Sequence, residues 1–303
     1  MSSALSGSEA ISDAERSVTT VVHDLIVTLA DADMQNPRRL ATDIIAAILE
    51  VPRSWPSMNG DVSIDQHTVT SARNAAALIG AGAPFAYAVG CAAFRHLNLE
   101  VDARVLIPRP ETEVLVGIVL ERMESRFGTR SWGTAADIGT GSGAIALSLA
   151  NEGRFDRVIA TDVSIDALDV ARINAKRSHA TIKSVVEFRH GSLLSPIRDV
   201  EASVVVSNPP YIAYSEAELL PASVRDWEPA VALMCGNDGM AATTSIMRDA
   251  AFVLSRGGLL ALEVDSRRAS LVAEALMVNG SYGDISVAMD LAGRERFVLA
   301  TRI

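Results

Sequence analysis

The stretch that decides the fold is "TAADIGTGSGAIALSLA", residues 134–150. A short apolar run ends at Asp137-Ile138, three glycines follow at every second position (Gly139, Gly141, Gly143), and an alanine- and leucine-rich segment begins immediately after. Apolar runs of this length suit a buried strand, alternate glycines suit a tight backbone turn, and the alanine-rich segment suits a helix. The stretch therefore predicts strand, glycine loop, helix. Downstream the unit repeats: "RVIATDVSIDALDVARINA" (157–175) is a strand ending at Asp162 and then a helix. "SVVEFRHGSLL", "ASVVVSNPPY" and "GGLLALEV" supply three more strands, and "SYGDISVAMDLAGRERFVLATRI" (281–303) reads as two strands about a turn. Strands alternating with helices predict a mostly parallel, seven-stranded α/β sheet of the doubly wound, Rossmann-like kind, with ligands at the carboxyl ends of its strands.

Upstream the periodicity is helical. "LATDIIAAILEV" places Leu40, Ile44, Ile45, Ile48 and Leu49 on one face, and "VTSARNAAALIGAGAP" is a second helix stopped by Gly80, Gly82 and Pro84. "LNLEVDARVLI" (97–107) alternates about Asp102-Ala103 and predicts a hairpin between two domains. The expected organisation is a tail at 1–17, a small helical domain at 18–92, a hairpin linker at 93–110 and the α/β domain at 111–303.

Composition narrows the function. The 303 residues are 49% hydrophobic but only 5% aromatic, so Ala, Val and Leu fill the core, as in helix-covered parallel sheets. A formal charge of −10 disfavours sequence-independent binding of DNA or RNA, which depends on neutralising phosphates. Cys91 and Cys235 have no partner spacing, and the five histidines show no metal-ligand pattern, so no metal is expected. Neither a membrane span nor a signal peptide is expected, which predicts a cytoplasmic protein; without a dimerisation stripe, a monomer is the default.

The loop Asp137-Ile138-Gly139-Thr140-Gly141-Ser142-Gly143 lets backbone approach a ligand closely, and Asp162 stands where a carboxylate can accept from ribose hydroxyls. Gly139-x-Gly141-x-x-Ala144 also satisfies the loose dinucleotide pattern, so an NAD enzyme competes with a methyltransferase; a turn needed only for packing is the bland alternative. Asp137 ahead of the glycines favours S-adenosylmethionine, released as S-adenosylhomocysteine after transfer, because methyltransferase loops carry an acid there. The tetrad Asn208-Pro209-Pro210-Tyr211, ending the fourth strand beside that loop, favours it further. An amide or exocyclic NH2 is a poor nucleophile because its lone pair is delocalised. Two acceptors aimed at its two N–H bonds would align it and strengthen as positive charge develops on nitrogen. Asn208 offers a side-chain oxygen, Pro209 a backbone carbonyl stiffened by Pro210, and Tyr211 an aromatic wall. A plain strand-ending turn is the alternative; a non-catalytic scaffold that has kept the fold is another.

The tetrad serves both amino-methylating nucleic-acid enzymes (N6-adenine type) and glutamine methylators. "VLIPRPETEVLV" (105–116) separates them: with "GAPFAYAVGCAAF", "DVSIDALDVARINA", "SNPPYI", "EPAVAL" and "DLAGRERFVLA" in order, residues 70–303 resemble the bacterial release-factor glutamine methyltransferases, the HemK/PrmC family. The resemblance implies a class I methyltransferase fold that methylates the side-chain amide nitrogen (N5) of the glutamine in the Gly-Gly-Gln motif of peptide chain release factors, with the helical domain helping to grip that partner. It implies cofactor contacts at Gly139, Thr140, Gly141, Gly143, Asp162 and around Ser192-Leu193, with Asn208 beside them, and substrate contacts at Asn208, Pro209 and Tyr211. It also implies that Pro108 to Glu113, carrying Arg109 and Glu111, folds over the active site; read without it, Pro110-Glu111-Thr112-Glu113 is a capped helix start. Two departures stand out: the family usually has an acid where Ser192 stands, and glycine where Asp265 follows Glu263-Val264, which leaves the role of Glu263 open.

Overall fold

The computed structural model describes residues 15–303, and the chain divides after Gly90 into two compact units. Most of the tail expected at 1–17 lies outside the described residues; its last two, Arg16 and Ser17, pair antiparallel with Ile64 and Ser63. In the first unit Ser17 caps α1 (Val18–Asp31), Pro37 opens α2 (Pro37–Ile48), and Asp65 caps α3 (Gln66–Gly80) by accepting from the Thr68 amide at 2.7 Å. Their apolar stripes meet in a core of Val21, Leu25, Leu29, Ile44, Ile45 and Ile79. Ile44 and Ile45 are fully buried, as the helical spacing demands, while Leu40, Ile48 and Leu49 pack half-buried at its margin.

The second unit begins with a hairpin, β1 (Cys91–Phe94) and β2 (Leu97–Glu100). This corrects the sequence reading, which put the turn at Asp102-Ala103. The chain reverses instead at Arg95, whose φ is +51°, and "LNLE" pairs backwards with "CAAF". Asp102 makes a local turn, accepting from the Arg104 amide at 2.9 Å, so the alternation beyond it has no ladder to join. Phe94, Leu97 and Leu99 are buried with Leu115, Val116 and Val119 of the following helix, so the hairpin is part of this unit's core.

That helix, α4 (Pro110–Phe127), starts on a proline, with Glu111 and Glu113 in its first turn and Arg126 in its last, in accord with the helix dipole. The α/β layers follow: β3 (Thr134–Ile138), α5 (Ala144–Glu152), β4 (Arg157–Asp162), α6 (Ile165–Arg177), β5 (Val185–His190), β6 (Ala202–Ser207), α7 (Ala241–Val253), β7 (Leu254–Glu263), α8 (Ala269–Asn279), β8 (Tyr282–Met289) and β9 (Glu295–Arg302). The seven-stranded sheet has the order β8-β9-β7-β6-β3-β4-β5. β7, β6, β3, β4 and β5 run parallel, while β9 is antiparallel to both β7 and β8.

Alternate residues of the central strands feed two cores. Ala135, Val204, Val206 and Ala261 face α4 and α5; Ala136, Val205, Leu260 and Leu262 face α7 and α8. A strand covered on both faces must be apolar at every position, which explains "VVV" in β6. Sequential strands step outward from β3 to β4 to β5, and the chain then returns to place β6 on the other side of β3. The crevice for a ligand therefore opens at the carboxyl ends of β3 and β6, where the strand order reverses. Among the described residues no helix is long and apolar enough to cross a membrane.

Candidate active site

The glycine loop leaves β3 at this switch point. The Gly139 and Thr140 amides each donate to the Thr161 carbonyl at 2.9 Å, which ties the loop to β4. Gly139 and Gly141 hold φ of +74° and +54°, and a Cβ on either would meet open space, so these two backbone positions face a cavity. Gly143 is different: at φ +85° a Cβ there would lie 3.2 Å from Leu147 and 3.3 Å from Ala171, so its smallness serves packing.

Asp137 is fully buried. Its Oδ2 accepts from the Thr140 hydroxyl at 2.6 Å and the Ala146 amide at 3.1 Å, so it clamps the loop to the first turn of α5. Its Oδ1 has no hydrogen-bond partner among the described residues. Burial, with a smaller push from the Asp162 charge, raises its carboxyl to about 7. Asp162, at the end of β4, accepts from the Gly141 amide and the Ser164 amide, both at 2.9 Å. Each of its oxygens keeps a lone pair for a further donor.

Asn208 stands where two cavities meet. One is lined by Gly139, Gly141, Asp162, Ser192, Leu193 and Pro210; the other by Arg109, Pro209, Tyr211 and Leu220. Of the residues expected from the sequence, Gly139, Gly141, Asp162, Ser192 and Leu193 line the first cavity and Arg109, Pro209 and Tyr211 the second, while Pro210, expected on the substrate side, lines the first. Thr140, Ser142 and Gly143 build the loop from behind: Thr140 and Ser142 are buried, and the Ser142 carbonyl accepts from Asn174. Tyr211 is packed so that burial, reinforced by the Glu263 charge, pushes its hydroxyl up to about 12, and it stays neutral. Its backbone is pinned by Gly239, where a Cβ would fall 2.3 Å from the Tyr211 carbonyl oxygen.

The segment ahead of α4 forms the rim. Arg109 donates to Glu228 Oε1 at 2.6 Å, and the Glu228 side chain is only 1% exposed, so "IPRP" is latched to "EPAV". Glu111 pairs with Arg294 at 3.6 Å and lines neither cavity. Sequence reasoning missed several of the lining residues. Arg104 and Val105 line the first cavity, and Leu106 and Ala232 line both. It also missed Thr112, which receives the Asn208 side-chain amide at 3.1 Å and donates to Glu263 at 2.7 Å. A threonine inside "PETE" carries no signal of its own, because its two partners lie 96 and 151 residues away. Among the described residues no group of His, Cys, Asp and Glu is arranged to hold a metal ion.

A doubly wound sheet with this loop, a carboxylate ending the next strand and a polar tetrad ending its neighbour defines a methyltransferase domain. A family model described as "Methyltransferase small domain" matches residues 116–222. The same fold is found in the hMettl16 catalytic domain in complex with MAT2A 3'UTR hairpin 1, which is similar at a TM-score of 0.56 and 17% identity over 85% of this chain and 90% of that one. The methyltransferase from Pyrococcus furiosus is similar at 0.50 and 20% identity, over 69% and 90% of the two chains. Two curated proteins named "Release factor glutamine methyltransferase" are more similar in sequence. The Moorella thermoacetica protein is 43% identical over 73% of this chain and 76% of its own length. The Mycolicibacterium smegmatis protein is 37% identical over 94% and 97%. The chain belongs to the release factor glutamine methyltransferase family.

Proposed function

We propose that this protein methylates the side-chain amide nitrogen of the glutamine in the Gly-Gly-Gln motif of peptide chain release factors, using S-adenosylmethionine. The carrying observation is the position of Asn208 between the glycine-loop cavity and the cavity walled by Tyr211 and Pro209. The residues of the first cavity suit the cofactor: open space at Gly139 and Gly141 and lone pairs left on Asp162 for ribose hydroxyls, with the buried Asp137 carboxylate behind the loop to balance a cationic end. When bound, the cofactor supplies a methyl group made electrophilic by its sulfonium.

The chain's own groups handle the other reactant. The Asn208 side-chain oxygen and the Pro209 carbonyl accept from the two N–H bonds of the glutamine amide, holding its nitrogen towards the first cavity. Both bonds strengthen as nitrogen becomes positive, so they act mainly in the transition state. Tyr211 lies flat against the amide plane and excludes water. The alkylated nitrogen is acidic enough to lose its proton without a tuned base. The helical unit helps to grip the release factor, and the groove beside Val22, Ile26, Arg38 and Arg39 is the surface offered for that contact.

Mass spectrometry of a release factor after incubation with the enzyme and labelled cofactor tests this. One methyl group is expected on the motif glutamine, and none when that glutamine is replaced. Methylated DNA or RNA beside an unmodified release factor would sink the proposal.

A further inference from the structure

We propose that Glu263 and Thr112 are positioning residues that fix which end of the Asn208 amide faces the substrate. The inference rests on the amide methylation proposed above. Glu263 ends β7 and is 1% exposed; Thr112 lies in the first turn of α4 and is 5% exposed. Thr112 Oγ1 donates to Glu263 Oε2 at 2.7 Å, and Asn208 Nδ2 donates to Thr112 Oγ1 at 3.1 Å. The chain has a direction imposed from its buried end. An ionised carboxylate can only accept, so the single Thr112 proton goes to Glu263, and the hydroxyl can then only accept from Asn208. The Asn208 NH2 is thereby tied back, and its oxygen is turned away from Thr112, as the clamp on a substrate NH2 demands.

Protonation of Glu263 permits the reverse order. A protonated carboxyl donates to Thr112, the hydroxyl proton turns to Asn208, and the amide gains by rotating its oxygen towards Thr112. The end then offered to the substrate amide is an NH2, which confronts donor with donor. The groups acting on Glu263 come from three directions. Thr112, with Glu111 and Arg109, belongs to the start of α4; Arg296 is on β9; and Tyr211 follows β6. Burial dominates over the Arg296 and Arg109 charges and raises the Glu263 carboxyl to about 7. The oxygen-out state therefore prevails above neutrality and gives way below it.

The test measures kcat with cofactor and release factor both saturating, and cofactor affinity by calorimetry. Thr112→Val removes the relay hydroxyl at nearly constant volume. Its kcat is expected to fall about 100-fold, the effect of losing one oriented hydrogen-bonding group in a transition state, while cofactor Kd stays within about threefold. Thr112→Ser, which keeps the hydroxyl, is expected to recover most of the loss. In wild type kcat should fall as pH drops below about 7, because ionised Glu263 fixes the productive direction and protonated Glu263 does not; in Glu263→Gln, which cannot titrate, that limb should vanish. This arm holds even if Thr112→Val does not fold. An unchanged kcat in Thr112→Val, an equal loss in Thr112→Ser, or the same acid limb in Glu263→Gln overturns the inference. Wild-type enzyme that leaves the glutamine unmodified overturns the functional proposal instead.

Discussion

Replacing Asp137 by asparagine should make the protein's stability less dependent on pH, in a direction opposite to ordinary acid denaturation. Asparagine is nearly isosteric, and its oxygen can still accept from Thr140 and Ala146, the two partners of Oδ2. What changes is the charge. The folded protein holds this carboxyl at about 7 instead of 3.8, because burial penalises the ionised form. A raised folded-state value means that the stabilising effect is complete below about pH 4 and is lost as pH rises to about 7. At about 1.4 kcal/mol per tenfold change in proton affinity, the loss is on the order of 4 kcal/mol by pH 8. The asparagine variant, with no proton to lose, is spared it. The stability of Asp137→Asn relative to wild type should therefore rise by about 2–4 kcal/mol between pH 5 and pH 8. Urea unfolding of both proteins at unit pH intervals, without cofactor, measures it. The same substitution removes a negative charge proposed to balance the cofactor, so affinity for S-adenosylhomocysteine should fall about tenfold at pH 8. A stability difference that stays constant across this range would refute the reasoning, since it would mean that Asp137 is not forced to ionise in a dry site.

Three other substitutions probe separate parts of the site. Asn208→Ala should cut kcat by at least about 100-fold while cofactor Kd moves by less than about threefold, because the side chain acts on the amide nitrogen in the transition state; near-full turnover would remove the clamp from the mechanism. Asp162→Ala loses the acceptors of the Gly141 and Ser164 amides as well as those offered to ribose, so calorimetry should show the cofactor bound at least about 30-fold more weakly. Arg109→Ala strands the Glu228 carboxylate, whose side chain is 1% exposed. It should lower stability by about 2 kcal/mol and raise KM for the release factor, with Glu228→Gln in the same chain recovering part of the stability.

Much of this molecule is written locally. The glycine loop, the apolar strand "VVV" and the Asn208 tetrad are each a few residues long, and their chemistry follows from backbone freedom, alternation and hydrogen-bonding capacity within the segment. The hairpin is an instructive miss: alternation in "LNLEVDARVLI" is real, but it cannot say which neighbouring segment supplies the ladder. Register depends on pairing partners, and the partner here is "CAAF" upstream, where Arg95 accepts a left-handed turn.

The sequence by itself determined the fold class and the strand-end segments that carry the glycine loop and the Asn208 tetrad, because those depend on patterns within single strand–loop–helix units. Only the tertiary structure decided how Asn208 is aimed. Thr112 from α4 meets Asn208 and Glu263 from β7 meets Thr112 because β7 lies beside β6 in the sheet and α4 packs over that face. The direction of a hydrogen-bond chain is a property of all its members together. Here they come from three elements, and only folding places them within reach.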